Sequence, residues 1–350
     1  MKVDAMLQEL QTRGGTALHV RPGQPPLARL DGILTPIRKD ELDGHKAREL
    51  LAELVDEERR ARFAADLDHT FVHTVDGVGA FEVALSHTAA GPAGVFRPIA
   101  AKPRTLTDLD APEGAWVLAE RTAGLVLVAS PRGGGRSTTM AAIADHLNKT
   151  RAIHILTIEA PITMPIESKR AQVTQREVGR HTPSISAALR AASRDNVDAA
   201  FACDLDGPDA ASVALDLALD GLLVVAGVVA TDALSAIERL LAMFGREHEA
   251  RARSLLADAL AGVIAQQLLP APSGPSRLPM WEVLVATPEI DAAIRAGRLA
   301  EIGGLIREGA AYGMVSLDAS LESALADKKI DPAAALRRAW DREALAAFTR

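Results

Sequence analysis

The sequence predicts an α/β protein with a phosphate-binding P-loop, and three observations support this prediction. The segment GLVLVASPRGGGRSTT at 124–139 passes from an apolar strand through a glycine-rich loop into a helix, which is the P-loop pattern. Apolar strands then alternate with helices, as in a mostly parallel sheet that is covered on both faces. The first hundred residues show a different pattern of short strands and helices, which indicates a smaller α+β domain.

The smaller domain is predicted at 1–100. It begins with an amphipathic helix, MKVDAMLQELQTRGG, followed by two short strands, TALHVRP and PLARLDG, around a Gly-Gln-Pro-Pro turn. Helices are expected through 39–66, and strands near 69–75, 79–86 and 93–99. The polar, proline-containing stretch that follows predicts a linker at 101–114.

The nucleotide-binding core is predicted at 115–270. Its strands are expected at 124–129, 153–158, 197–203 and 222–229, and its helices near 137–149, 184–194, 208–219 and 232–266. The segment PAPSGPSR predicts a loop or loose hairpin. The rest of the chain, 271–350, is expected to be mainly helical, with alanine-rich amphipathic runs at 288–308 and 317–347.

Composition excludes several classes of protein. A formal net charge of -7 argues against a dedicated nucleic-acid binder, because such proteins usually carry a basic face. Cys203 is the only cysteine, so an intrachain disulfide and a thiolate metal cluster are excluded, and its apolar neighbours predict a buried thiol. No signal peptide and no stretch as long as a membrane span is recognisable, so a cytoplasmic protein without an integral membrane segment is expected.

The loop departs from the pattern G-x-x-x-x-G-K-[ST] at two positions. Ser130 replaces the first glycine and Arg136 replaces the lysine. In a working loop the backbone N–H groups hold phosphates, the lysine reaches the β and γ oxygens, and the hydroxyl binds Mg²⁺. Because a guanidinium is larger than an ammonium, altered or weakened ATP binding is expected. The candidate nucleotide-binding residues are Ser130, Gly133, Gly134, Gly135, Arg136, Ser137 and Thr138. A glycine-rich turn without a ligand is the alternative interpretation.

Further segments connect the chain to a known family. They are STTMAAIADHLNKT, HILTIEAPI, ESKRAQVTQREVGRHTPSISAALRAASRDNVD, TPEIDAAIRAG and GMVSLDASL. With these segments in order, nearly the whole chain resembles the PilT family, the twitching-motility and retraction ATPases of type IV pili within the secretion-ATPase superfamily. The resemblance implies a PAS-like N-terminal domain and a RecA-like core, assembled as a hexameric ring with sites between domains and neighbouring subunits.

The chain departs from the family at positions that, by resemblance, act in ATP hydrolysis. Glu159 is retained in the Asp box, but Thr163 replaces the glutamate that, by resemblance, orients the attacking water. Asp204 replaces the glutamate of the Walker B segment and remains a candidate to hold Mg²⁺ through water, together with the hydroxyl of Ser137. Ala230 replaces the histidine of the His box. Glu159 and Asp204 are therefore the remaining candidate catalytic residues.

Positions that the family uses between subunits have changed as well. Ala80 and Glu82 replace basic side chains that, by resemblance, belong to an inter-subunit nucleotide clamp, whereas Arg97 is retained. In the C-terminal retraction motif Asp291 replaces an arginine, while Arg295 persists. The retraction signature is therefore partial.

These observations lead to three hypotheses. The first is a catalytically impaired paralogue of a retraction ATPase, a pseudo-ATPase that regulates or scaffolds a motility machine as a homo-hexamer or in co-assembly with an active retraction ATPase. The second is an active ATPase that drives retraction with Arg136 and Asp204 in rebuilt roles. The third is a module that senses nucleotide without turnover. The resemblance also implies an inner-membrane platform protein of the pilus as a partner.

Overall fold

A computed structural model of the protein describes residues 3–30, 32–100, 102–272 and 277–348. The chain divides into two compact units. The smaller unit is Met1–Lys102 with Ala160–Pro165, and the larger unit is Pro103–Glu159 with Ile166–Arg350. In the described part of the chain, no helix combines the length and the apolar character that a membrane crossing requires. The predicted domain boundaries themselves stay predictions.

In its described residues, the smaller unit contains an antiparallel sheet of six strands and three helices. Its elements are α1 (Val3–Thr12), β1 (Ala17–Val20), β2 (Leu27–Leu30), β3 (Ile33–Pro36), α2 (Gly44–Ala52), α3 (Glu57–Asp66), β4 (Asp68–Val75), β5 (Gly79–Thr88) and β6 (Gly91–Pro98). The strand order is β3-β2-β1-β6-β5-β4. The sequence indicated every strand except β3. Apolar residues of α1 at helical spacing join the core of this unit: Val3, Met6, Leu7 and Leu10.

The larger unit contains a seven-stranded sheet. Its elements through the sheet are α4 (Glu113–Ala119), β7 (Gly124–Ser130), α5 (Arg136–Thr150), β8 (His154–Glu159), β9 (Gln172–Glu177), α6 (Ile185–Ala192), β10 (Ala199–Ala202), α7 (Pro208–Leu219), β11 (Leu223–Val229), α8 (Ala233–Ala242), α9 (Glu249–Ala259), β12 (Leu260–Pro270) and β13 (Arg277–Val285). The order is β13-β12-β7-β11-β10-β8-β9, and every pair is parallel except β12 with β13. The predicted α/β fold class is confirmed.

The single helix expected at 232–266 is wrong. The chain forms α8 and α9 and then the strand β12, which pairs with β7 on one side and β13 on the other. Nearly every residue of β12 is buried, so its sequence, LAGVIAQQLLP, shows neither helical nor alternating periodicity. Short runs of this kind do not distinguish a buried strand from a buried helix. The segment forms a strand because it pairs with β7 and β13 in the folded protein.

The C-terminal elements are shorter than the sequence indicated. They are α10 (Pro288–Ala296), α11 (Ile302–Glu308), α12 (Leu317–Ala326), α13 (Pro332–Leu336) and α14 (Arg342–Phe348), with 3₁₀ turns at Leu299–Glu301 and Gly309–Tyr312. The run expected at 317–347 is divided into three helices, because Asp331 caps a new helix at Ala334 N (2.9 Å) and Pro332 occupies its first turn. The strand β13 also lies in the region expected to be mainly helical, where it forms a hairpin with β12.

Candidate functional site

The glycine-rich loop connects β7, a central strand of the larger sheet, to α5. Gly133 (φ 73°) and Gly135 (φ 96°) adopt left-handed backbone conformations that favour glycine. A Cβ at Gly134 would lie 2.8 Å from Ser130 Cβ and 2.9 Å from the carbonyl oxygen of Pro131. The three consecutive glycines are therefore required by the tight turn itself.

Ser130 is compatible with this turn although the P-loop pattern has glycine there. The residue is not among those with positive φ, so its side chain causes no backbone strain. Its hydroxyl donates to the carbonyl oxygen of Pro131 at 3.0 Å. Ser137 and Thr138 follow in the first turn of α5 with exposed side chains. The loop residues predicted to bind nucleotide are thus together at the N-terminus of a 15-residue helix.

Arg136 is the first residue of α5, and its side chain lies at the ends of the neighbouring strands. Its Nη2 donates to Oδ2 of Asp204 at 3.3 Å, an ion pair in which the Arg136 side chain is 19% exposed. A Cβ at Gly227, in β11, would lie 3.0 Å from Arg136 Nε and 2.1 Å from the carbonyl oxygen of Cys203. The guanidinium therefore packs against the backbone of β11. Its Nε and Nη1 are buried and have no hydrogen-bond partner in the described part of the chain.

Asp204 follows β10 and is separated from its end by Cys203. Burial raises the pKa of the Asp204 carboxyl, and the Arg136 guanidinium opposes this rise. The sequence predicted a buried thiol at Cys203, but the side chain is half-buried at the end of the strand. Of the predicted site residues, the structure joins Arg136 and Asp204 directly.

Glu159 ends β8, and the chain continues through Ala160–Pro165, the segment that contains Thr163 and belongs to the smaller unit. The Glu159 Oε1 atom accepts hydrogen bonds from Thr157 Oγ1 (2.7 Å) and Gln175 Nε2 (2.9 Å). Thr157 lies on β8, the strand of Glu159 itself, and Gln175 lies on the neighbouring strand β9. The Glu159 carboxylate is therefore held by the sheet.

The end of β11 is fixed to the end of β7. Ala230 N donates to the carbonyl oxygen of Ser130 at 3.3 Å. The next residue, Thr231, accepts a hydrogen bond from Gln267 Nε2 on its carbonyl oxygen at 3.0 Å. Asp232 then caps α8 by accepting from Ser235 N at 2.7 Å. The substitution at Ala230 thus lies in a well-fixed segment beside the loop.

Sequence reasoning missed two buried polar side chains that support the site. Gln266, on β12, accepts a hydrogen bond from Thr139 Oγ1, and its Nε2 would lie 2.4 Å from a Cβ at Gly135. Glu282, on β13, accepts from Ala233 N (2.8 Å) and Leu317 N (3.3 Å) at the starts of α8 and α12. Each of these polar residues stands in an otherwise apolar run, which was the available signal in the sequence. The run that contains Gln266, however, is predicted to be helical.

The Glu282 carboxylate is almost fully buried. Burial raises the pKa of Glu282, the two backbone N–H groups oppose this rise, and the charges of Asp232 and Asp318 add to it. The carboxylate nevertheless has two donors, as a buried charge requires.

In the smaller unit, the retained Arg97 has an intramolecular partner. Glu82 and Arg97 are directly opposite each other on β5 and β6, and Arg97 Nη1 lies 3.8 Å from Glu82 Oε1. On the neighbouring strand β1, burial and the positive charges of Arg29 and Arg97 lower the pKa of His19. Glu82 thus partly neutralises the charge of Arg97 on this sheet.

The chain matches known proteins over most of its length. The family profile described as "Type II/IV secretion system protein" matches residues 110–294. A twitching motility protein of Neisseria gonorrhoeae is 33% identical over 91% of this chain and 86% of the relative. The type IV pilus retraction ATPase PilT of Pseudomonas aeruginosa is 34% identical over 93% and 94%, respectively. A crystal structure of the pilus retraction motor PilT with bound ADP superposes with a TM-score of 0.87 at 28% identity, covering 99% of both chains.

Proposed function

The chain belongs to the PilT family of type II/IV secretion ATPases, and we propose that it is a ring subunit of a type IV pilus machine with strongly reduced ATP hydrolysis. The observation that carries this proposal is the ion pair between Arg136 and Asp204. These residues stand, by resemblance, at the lysine position of the P-loop and at the Walker B carboxylate position, and the ion pair directs the two side chains to each other.

Phosphoryl transfer depends on fixed charges around the γ-phosphate, and one such group can contribute two to three orders of magnitude in rate. In this chain the Arg136 side chain is directed to Asp204 at 3.3 Å. The carboxylate is correspondingly less available to a metal-bound water. Both charges remain present, but in an arrangement that favours a closed ion pair over transition-state stabilisation.

Two further positions support reduced hydrolysis. Thr163 cannot accept a proton from an attacking water as a carboxylate can, and Ala230 has no side-chain donor. In the smaller unit, the pairing of Glu82 with Arg97 weakens a retained cation of the inferred clamp. These changes affect independent contributions to catalysis.

The inferred biological role is regulation or scaffolding of the machine. The match to retraction proteins extends over nearly the whole chain, and the fold agrees with a TM-score of 0.87, which supports a retained ring architecture. We infer a homo-hexamer, or co-assembly with an active retraction ATPase that supplies the missing groups, at the cytoplasmic face of the inner membrane beside the pilus platform protein. Ring interfaces depend on large surfaces rather than on the side chains that contact γ-phosphate.

An active retraction ATPase is the second candidate, and the loop geometry favours it. The glycines keep the tight turn, Ser137 is exposed at the start of α5, and Glu159 is retained. ADP is bound in the related PilT structure. Arg136 and Asp204 would then act in rebuilt roles. The third candidate is a module that senses nucleotide without hydrolysing it.

Phosphate release and light scattering of the purified, nucleotide-stripped protein test the proposal. We expect turnover lower than that of an active relative by at least about three orders of magnitude, because more than one charge-stabilising group is changed. We also expect self-association or entry into a ring with the active relative. Turnover within about tenfold of the relative, abolished by Ser137→Ala, would establish the active motor instead. A strictly monomeric protein would contradict the scaffold role.

A further inference from the structure

The residues of the loop fit a phosphate group better than they fit Mg²⁺. The glycine backbone and the N-terminus of α5 offer N–H donors to an anion. Mg²⁺ prefers oxygen ligands in a strict octahedral geometry, usually one or two carboxylates with waters and phosphate oxygens. Asp204 is the carboxylate at the expected position, and its Oδ2 is already paired with the Arg136 guanidinium. The other predicted ligand, the Ser137 hydroxyl at the start of α5, is neutral and cannot replace that carboxylate.

We propose that this site binds nucleotide without Mg²⁺, with the Arg136 guanidinium supplying the positive charge that the ion provides in other P-loop proteins. This inference rests on the proposed function to the extent that the loop still binds nucleotide. Arg136 and Mg²⁺ compete for one carboxylate, and two cations at that position repel each other. The permanently charged side chain therefore excludes the ion.

The guanidinium is held before any ligand binds. Asp204 accepts from Nη2, and the backbone of Gly227 leaves space that any Cβ at that position would fill. Thr139 and Gln266 are hydrogen-bonded to each other and fix the first turn of α5 against β12. A cation fixed in this way needs little rearrangement to meet an anion, which favours binding.

The guanidinium also retains unused donors. Its Nε and Nη1 are buried and have no hydrogen-bond partner in the described ranges. The guanidinium faces the backbone of β11, so an anionic oxygen reaches these atoms after a rotation of the side chain, and because unpaired buried polar groups are costly, this rotation gains affinity. A diphosphate or triphosphate carries such oxygens, and metal-free nucleotide presents more of them than its magnesium complex.

The test measures ADP binding to the full chain by calorimetry, once with excess Mg²⁺ and once with EDTA. For the natural sequence we expect dissociation constants in the two buffers within about threefold of each other. Arg136→Lys shortens the donor and releases Asp204, so Mg²⁺ should strengthen ADP binding at least about tenfold in this variant. The matched control is Arg132→Lys, at an exposed loop cation, which should keep the ratio of the natural sequence.

Asp204→Asn gives a second, independent variant. It removes the carboxylate for which the two cations compete, while the amide oxygen can still accept from Arg136 Nη2, so affinity in EDTA should stay within about threefold of the natural sequence and the response to Mg²⁺ should stay absent. Binding by the natural sequence that weakens at least about tenfold in EDTA would overturn the inference, as would no ADP binding in either buffer or an Arg136→Lys variant without a Mg²⁺ response. Slow turnover and ring assembly, measured separately, would leave the proposed function standing in each of these cases.

Discussion

The phosphate-binding loop and the strand ends beside it differ in how far they keep the family pattern. In the loop, Gly133, Gly134 and Gly135 remain, and the turn has the left-handed conformations that only glycine adopts easily. At the strand ends, Asp204 and Ala230 stand where the resemblance to the family implies a longer carboxylate and an imidazole. A loop shape depends on backbone and packing, whereas phosphoryl transfer depends on a few exact side chains. The fold can therefore persist even where, as we propose, the chemistry has changed.

The largest expected effect comes from restoring the strand ends and the loop cation together. Arg136→Lys, Thr163→Glu, Asp204→Glu and Ala230→His should raise phosphate release at least about a hundredfold, because each restored group stabilises charge or moves a proton. The measurement is steady-state phosphate release of the purified variant. If phosphate release did not recover, the loss of hydrolysis would also involve the inferred clamp positions Ala80 and Glu82. If Arg136→Lys alone destroyed an existing activity, the active-motor hypothesis would be correct.

A substitution at Gly227 tests whether the backbone beside the loop is as constrained as the loop. Gly227→Ala should lower the free energy of unfolding by about 1–3 kcal/mol, because its Cβ would lie 2.1 Å from the Cys203 carbonyl oxygen. Chemical denaturation measures this change. The control is Gly304→Ala, in α11, where a Cβ meets nothing within 4 Å and stability should stay equal or rise slightly. Equal free energies of unfolding for the two variants would show that the backbone at Gly227 is not constrained.

Glu282 connects the segment after β11 to the C-terminal helices, and its effect should depend on pH. Its folded-state pKa is raised above 4.5, so its contribution to stability is fully present below the unfolded pKa and is lost as pH rises through the folded pKa. Glu282→Gln should remove this decline. Denaturation from pH 4 upward measures how the free energy of unfolding of each protein changes with pH, and parallel curves for the two proteins would refute the assignment.

The smallest effect is expected in the smaller unit, where Glu82 faces Arg97. Glu82→Gln should change the free energy of unfolding by less than about 0.5 kcal/mol, since both side chains are at least partly exposed and such pairs contribute little. The same denaturation experiment measures it, with Arg97→Gln as the partner variant. A loss above about 1 kcal/mol in either variant would show that the pair is structural and not only a change of surface charge.

Sequence patterns predicted most of the fold because the relevant information is local. The strand, glycine loop and helix around Gly135 follow one another within sixteen residues. The strands of the larger sheet before β12 are apolar and bounded by turn residues, except β9, whose sequence, QVTQRE, is polar and was missed. The strand β12 was also missed, because its apolar run is compatible with a buried helix. The residues predicted to bind nucleotide or to act in catalysis stay predictions, and Gln266 and Glu282 were missed with the elements or pairings that position them.

The sequence by itself determined the family and the strand, glycine-rich loop and helix at 124–139, because each depends on residue type and short spacing. The tertiary structure alone decided that Arg136 pairs with Asp204, a residue 68 positions away, and that Gly227 leaves space for the guanidinium. Parallel strands bring their ends to one edge of the sheet whatever their distance in sequence. Which side chains meet there depends on strand order and register, and local patterns do not contain that information.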